Sequence, residues 1–380
     1  MEAATLATIQ PLSVMVLFVS LTSSSSFSSI ISTIINMRLA LLIVVGPSLV
    51  SSQPFSNCDL SAYYSSLLTS PQQTSRDDMH QLIKVTHRHA LPYTHNSNPD
   101  VWDGLLATDT DSTGQLVHLI YGDKDVAATP YDSGSCDSWN REHVWSRSRG
   151  VGDSGFDNTD LHHMRPADCN VNSARSNKYF AQCGTVDLMS SCTSPAHLEA
   201  APDTEKDTKS FLPPASKRGD IARAILYMDL RYDGDDPNTE NLVVSDCPEN
   251  VPNGAGMGYL SQLLQWHLDD PPDEEERNRN VEVCTSEYLG DCSCGCFCAH
   301  DVLRVYRCSL LNMFLVHVAS SCFCFNICLI TDWQGNRNPF VDYPELAATY
   351  FGTPSPLPQD GAGYDCFGPT TVSLYRFDII

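Results

Sequence analysis

The sequence predicts an α+β fold, on three observations. Segments with helical spacing of apolar residues recur at irregular intervals, short apolar runs bounded by glycine lie between them, and nothing alternates regularly enough for βαβ units. A 42% apolar composition over 380 residues is ordinary for a globular protein with a sizeable core.

Asp77–His89 follows Thr74-Ser75, opens with acids, closes with basic residues and spaces Met79, Leu82, Ile83 and Val85 helically, so it reads as a helix. His87, Arg88 and His89 close it where positive charge suits the helix dipole. Leu116–Tyr121, between Gly114 and Gly122, reads as a strand. Lys217–Tyr232 begins after Pro213-Pro214, has Asp220 near its start and sets Ile221, Ala224, Ile225 and Met228 on one face; it is the strongest helix in the chain. Gly258–Leu268 is a third helix, and no internal repeat is visible.

Of two apolar stretches near the start, Leu12–Leu21 lacks basic flanks, whereas Leu39–Val45 follows Met37-Arg38 and precedes the small residues of Gly46–Ser52. The second has the layout of a signal peptide, with Met37 a candidate start and 1–52 a targeting region. Neither stretch reaches the roughly 18 to 20 apolar residues of a membrane span, so no stable membrane association is expected. Sixteen cysteines also suit a secreted, disulfide-bonded chain. Eight are scattered (Cys58, Cys136, Cys169, Cys183, Cys192, Cys247, Cys284, Cys366) and eight crowd into Cys292–Cys328, so the two groups need separate explanations.

The formal charge of −23 argues against general affinity for polyanions while leaving room for a local basic site. Much of the acid lies in Asp233–Asp236 and Asp269–Glu276, most simply solvated loops; calcium is the alternative, but neither run has EF-hand spacing. Ser286–Thr331 stands apart, with alternating cysteines at Cys292–Cys298 and no Asp, Glu, Lys or Arg over Leu310–Ile330. A transmembrane helix, a thiolate metal cluster and an insertion foreign to the domain, such as translated intronic sequence, compete for it, and the insertion is favoured.

Chemistry is densest at Ser138–Gly150, SWNREHVWSRSRG, where Glu142 and His143 are adjacent and several arginines surround them. On a strand over Asp137–Val144 the two would point to opposite faces, so a joint role needs a twist, a bulge or a site at the strand's edge. A Gly/Asp-rich loop follows, then a strand candidate at Asp160–Pro166 and a helix over Ala167–Phe180 with Pro166 in its first turn. Asn172, Arg175 and Ser176 would share a face of that helix. His162 and His163 have no nearby partners with structural-zinc spacing. Gln334–Asp342, with Gly and Asn-Pro, reads as a loop first and a substrate contact second.

This order of strand, loop, strand and helix resembles the ββα-metal, or His-Me finger, nucleases, and among them the secreted endonuclease I family. The blocks WNREHVW, DLHHMRPADCNVNSARSNKYF, RGDIARAILYMDLRY and QGNRNPFVDYPE carry the resemblance, with YYSSLL, HALPYT and LIYGD before them. The resemblance implies a ββα-metal fold with additional helices over 53–352, interrupted at 286–331 and followed by a tail at 353–380. It implies His143 as general base, Glu142 and Asn172 as ligands of one Mg²⁺ (Mn²⁺ or Ca²⁺ as substitutes), and Arg165 as a transition-state contact. Arg141, His162, His163, Arg175 and Asn177 would line the substrate site, with Arg147, Arg149 and Lys178 adding positive charge. A neutral imidazole can take a proton from water, and a hard cation held by oxygen donors can stabilise a pentacovalent phosphate. The implied protein is a monomeric, secreted endonuclease gripping DNA, and RNA with it, by the phosphate backbone and leaving 5′-phosphate products. The alternative is an inactive interaction protein that retains the fold. The chain departs from the family in its acidity and in the 286–331 interruption.

Overall fold

The structure, a computed structural model, describes residues 58–357 apart from positions 97, 123, 130, 132 and 133, together with Tyr364 and Cys366. Between 286 and 332 it describes only the backbone of five strands. The proposed targeting region 1–52 lies outside the described residues, as does most of the tail.

The architecture is mixed α+β, with several two- and three-stranded sheets set among helices. Helix α1 (Arg76–Thr86) starts where Ser75 accepts the amide of Asp78, and α2 (Val101–Thr108) starts in a reciprocal capping box between Asp100 and Asp103. Helix α1 stops short of His89 because His87 turns inward. Burial pushes that ring down to about 3, so it is neutral and packs edge-on to Phe156. The expectation of a helix-closing cation at His87 is therefore corrected. Of Leu116–Tyr121, only β1 (Leu116–Val117) is strand, pairing with β2 (Val126–Ala127).

The hairpin of β3 (Trp139–His143) and β4 (Met164–Asp168) is antiparallel, with Glu142 opposite Arg165 and His143 opposite Met164. Helix α3 (Cys169–Arg175) follows directly. It begins later than expected: Pro166 lies within β4, and Asp168 is the cap, accepting from the amides of Asn170 and Val171. It also ends earlier, because Ser176 adopts φ 55°. The Cys136–Cys169 disulfide ties the start of α3 to the approach to β3. A second small sheet of β5 (Tyr179–Phe180), β6 (Glu205–Lys206) and β7 (Ser210–Leu212) adjoins Tyr121 through Phe180 and Phe211.

Helix α4 (Arg218–Arg231) runs through the core, buried from Gly219 to Arg231 and packed along α5 (Leu260–Asp269). Its early residues meet α6 (Glu274–Cys284), which Asp273 caps. Glu276 turns inward onto Arg223, with its carboxylate 2.6 Å from Nη2, so the second half of the Asp269–Glu276 run is a helix start rather than a loop, with Glu276 buried and Asp273, Glu274 and Glu275 exposed. Asp233–Asp236 does remain a surface loop.

All eight scattered cysteines pair: Cys58–Cys284, Cys136–Cys169, Cys183–Cys192 and Cys247–Cys366. The last tethers the tail, where Tyr364 stacks on Tyr259. Within 286–331, strands Ser293–Cys298, Asp301–Arg307 and Cys322–Ile327 form a sheet of their own, and Tyr288–Leu289 pairs with Ile330–Thr331. Just outside, Gln334 donates its amide to the Val283 carbonyl, so the chain leaves and rejoins the domain at one point. The cysteine side chains of the thiolate-cluster reading, and most of the apolar stretch of the transmembrane reading, lie outside the described residues. No helix among the described residues is long and apolar enough to cross a membrane.

Candidate active site

Strand β3 alternates, yet Glu142, His143 and Arg141 all border one cleft of about 710 Å³. His143 is the last residue of the strand, and the cleft opens there between the hairpin, the 146–153 turn and the end of α3. Asn172, Arg175 and Asn177 complete the α3 side, with Arg147, Ser148 and Asp153 opposite.

Glu142 is buried, with Oε1 accepting the Tyr121 hydroxyl at 2.7 Å and lying 3.0 Å from Arg175 Nη1. Burial raises its pKa, against the pull of Arg175 and the hydrogen bond from Tyr121. Arg175 is almost wholly buried and also donates to the carbonyls of His143 and Val144 and to Ser146 Oγ. Its guanidinium thus clamps α3 onto β3, and the phosphate grip expected of it is largely taken up by protein acceptors.

His143 Nε2 lies 2.9 Å from the Asn158 carbonyl and 3.2 Å from Asn158 Oδ1. A carbonyl can only accept, so Nε2 carries the proton and Nδ1 holds the lone pair. Burial, reinforced by neighbouring His163 and Arg147, pushes the ring's pKa well below its usual value, so it is neutral. Tyr93 stacks on the ring, and His163 meets it edge-on.

Asn172 donates Nδ2 to Asn140 Oδ1 at 2.9 Å and to the Arg141 carbonyl at 3.3 Å. Those bonds fix the amide so that Oδ1 is its donor atom for a cation. Glu142 Oε2 and Asn172 Oδ1 are hard oxygen donors bordering the same cleft, which suits a hard divalent ion needing few protein ligands. Arg141 lies over Tyr93 at 3.5 Å and Trp102 at 4.2 Å, and Asn177, exposed at the rim, donates to Ser148 Oγ. Arg147 pairs with Asp153 at the mouth.

Three expected site residues lie elsewhere. Arg165 sits with its guanidinium 2.9 Å from Asp109 Oδ1 and 3.5 Å from Asp220 Oδ2, in a buried network with Arg279, and does not line the cleft. Its guanidinium is engaged by carboxylates shared with Arg279, Lys217 and Arg223, away from the cleft, so the transition-state contact is corrected. His162 and His163, both held at about 4 by burial, bond the carbonyls of Asn336 and Asp157, so they are interior supports. Gln334–Asp342 is likewise interior: Gln334 bonds Asp160 and Arg337 pairs with Asp342. Sequence reasoning missed Tyr121 as the partner of Glu142 and Asn158 as the partner of His143. The local motif carries no signal for either.

A sequence profile of the endonuclease I family matches residues 73–288, which span β3, β4, α3 and every residue bordering the cleft. The chain belongs to the endonuclease I family. This nuclease, a phosphodiester hydrolase by family, is 32% identical to the extracellular ribonuclease of Bacillus amyloliquefaciens over 269 residues, covering 70% of this chain and 72% of the relative. It is 31% identical to the extracellular ribonuclease of Bacillus subtilis (strain 168) over the same length, with the same coverage. Its substrate is nucleic acid, and Arg141, Arg147 and Arg175 border the cleft of an otherwise acidic protein.

Proposed function

We propose that this nuclease is a secreted ββα-metal endonuclease that hydrolyses the backbone of DNA and RNA with little base preference, using His143 as general base and one divalent cation, Mg²⁺ by preference. The observation that carries the reading is the convergence of Glu142, His143 and Asn172 on one cleft, with the tautomer of His143 set by Asn158. Nδ1 of His143 takes the proton of a water as that water's oxygen attacks phosphorus. Glu142 and Asn172 would hold the ion, and the chemistry it supplies when bound is stabilisation of charge on the phosphate and the departing 3′-oxygen. Arg175 and Tyr121 keep the Glu142 carboxylate oriented, while Arg141 and Arg147 attract the flanking phosphates. Backbone contacts carry no sequence information, which supports low base preference. The relatives' description as ribonucleases supports RNA as one substrate, and the four disulfides together with those extracellular relatives support secretion.

The test is nicking of supercoiled plasmid and cleavage of a long RNA side by side. Cutting of both with Mg²⁺, none with EDTA, and a loss on the order of 10²–10⁴-fold in His143→Ala are expected. Undiminished cutting in EDTA would remove the cation from the mechanism, undiminished cutting by His143→Ala would remove the base, and the inactive interaction protein returns if the parent fails to cut.

A further inference from the structure

Away from the cleft, helix α1 and the acidic loop after α4 bring three electron-pair donors together. The His80 side chain is 8% exposed, and its Nδ1 lies 2.7 Å from the Leu230 carbonyl. Since a carbonyl only accepts, Nδ1 carries a proton, which leaves Nε2 as the ring atom that would offer a lone pair to a cation. That nitrogen faces Asp235 Oδ2 at 3.4 Å and Asp233 Oδ2 at 3.6 Å. The three donor atoms all lie within 4.8 Å of one another.

The distances discriminate between two ways of filling this spot. An imidazolium donating to a carboxylate closes to about 2.7–2.9 Å. Ligands on a tetrahedral cation with bonds of about 2.0–2.1 Å sit about 3.3–3.4 Å apart along each edge, which is close to the spacing found. Lys84 donates to Asp235 through the same Oδ2 that faces His80 and lies 3.6 Å from Asp236, which Arg231 also holds; a carboxylate oxygen has a second lone pair, so this contact leaves Oδ2 able to bind a cation. Gly234, at φ 85°, makes the turn between Asp233 and Asp235.

We propose that His80, Asp233 and Asp235 form a binding site for one divalent cation of the Zn²⁺ class, with water as the remaining ligand. One imidazole nitrogen with two carboxylate oxygens suits such borderline metals, in contrast to the all-oxygen donor pair of the cleft. The site is structural. It pins the acidic loop to α1, and that loop runs on to Asn238, whose carbonyl approaches Gly155 so closely that a side chain there would not fit. Gly155 lies three residues before Asn158, the partner of His143.

The experiment is a Co²⁺ titration of metal-stripped, tag-free protein, read by the visible absorption of tetrahedral cobalt, with Zn²⁺ competition and thermal melting alongside. The expected result is a tetrahedral spectrum at one equivalent that Zn²⁺ displaces and Glu142→Gln leaves intact. His80→Ala and the double variant Asp233→Asn/Asp235→Asn abolish it, and the latter changes only surface carboxylates and keeps the fold. Melting should rise by about 5 °C with Zn²⁺ at 100 times its Kd in the parent and not in the double variant. Absence of a tetrahedral spectrum, or one lost in Glu142→Gln but retained in the double variant, overturns the proposal and leaves His80 as an imidazolium between two carboxylates.

Discussion

Glu142 and Arg165 face each other across a single hairpin, yet they belong to two different regions of the molecule. On the cleft side, Arg141 lies against Tyr93 and Trp102, and its hydrogen-bond partners among the described residues are the carbonyl of Tyr93 and the hydroxyl of Thr94. On the inner side, Arg165 and Arg279 share Asp109, and Arg223 grips Glu276. Burial works to raise the pKa of Asp109, but Arg279 and Arg165 together hold it below the ordinary carboxylate range. The difference teaches how an acidic protein can keep a nucleic-acid site. Arginines paired with carboxylates are structural, whereas those resting on aromatic rings and carbonyls keep their positive field for an incoming phosphate.

The sharpest way to break that contrast is to remove one arginine from the inner region. Arg165→Ala leaves Asp109 and Asp220 buried with one partner fewer, a change expected to cost about 3–5 kcal/mol of stability. Activity per folded molecule should stay near that of the parent. Urea unfolding together with nicking at a matched folded fraction measures both, and a variant that melts normally but cuts poorly would put Arg165 back at the phosphate.

Acid sharpens the same contrast, because the inner region also stores neutral imidazoles. His87 is held at about 3, and His162, His163 and His267 at about 4, all by burial, against about 6.5 in the unfolded chain. Each favours the fold fully above about 6.5, and that contribution is lost as pH falls through the folded values. Asp157 and Glu276, both raised to about 7 by burial, act in the opposite sense and favour the fold as pH drops. Four groups outweigh two, so unfolding free energy should decline between pH 6.5 and pH 4. A free energy that rose over that window would show that these rings are charged in the fold.

How much of this could be read in advance follows from the distance, along the chain, to a residue's partners. Glu142, His143 and Asn172 lie in one run of motif, and their shared cleft depends on the hairpin and the helix that immediately follows. Arg165 looks the same in sequence as Arg141. Its fate is decided by Asp109, Asp220 and Arg279, which lie far from it in the chain and carry no pattern that would mark them as its partners. His162 fails for the same reason, its acceptor being the distant carbonyl of Asn336, whereas His163 bonds the nearby Asp157 carbonyl, a backbone acceptor that no side-chain pattern marks. The late start of α3 was legible in principle, since Asp168 is a better cap than Pro166 is a first-turn residue once β4 claims that proline's carbonyl for Ile120. Cysteine pairing was not legible, though the separation of eight scattered residues from the crowded eight was.

The smallest effect tests the cleft's field itself. Arg147 is exposed at the mouth and shares its charge with the still more exposed Asp153, so it can turn to a phosphate at little cost. Counterion release makes affinity fall steeply with salt, and each cation lost from the contact set should reduce the slope of log K against log salt by about one. Arg147→Ala is therefore expected to weaken binding of a noncleavable oligonucleotide a few-fold at low salt, with convergence on the parent as salt rises. Asp153→Asn should do the reverse, strengthening low-salt binding by freeing Arg147. If the two variants moved binding in the same direction, the pair would be a turn-stabilising contact, and the attraction would have to come from Arg141 alone.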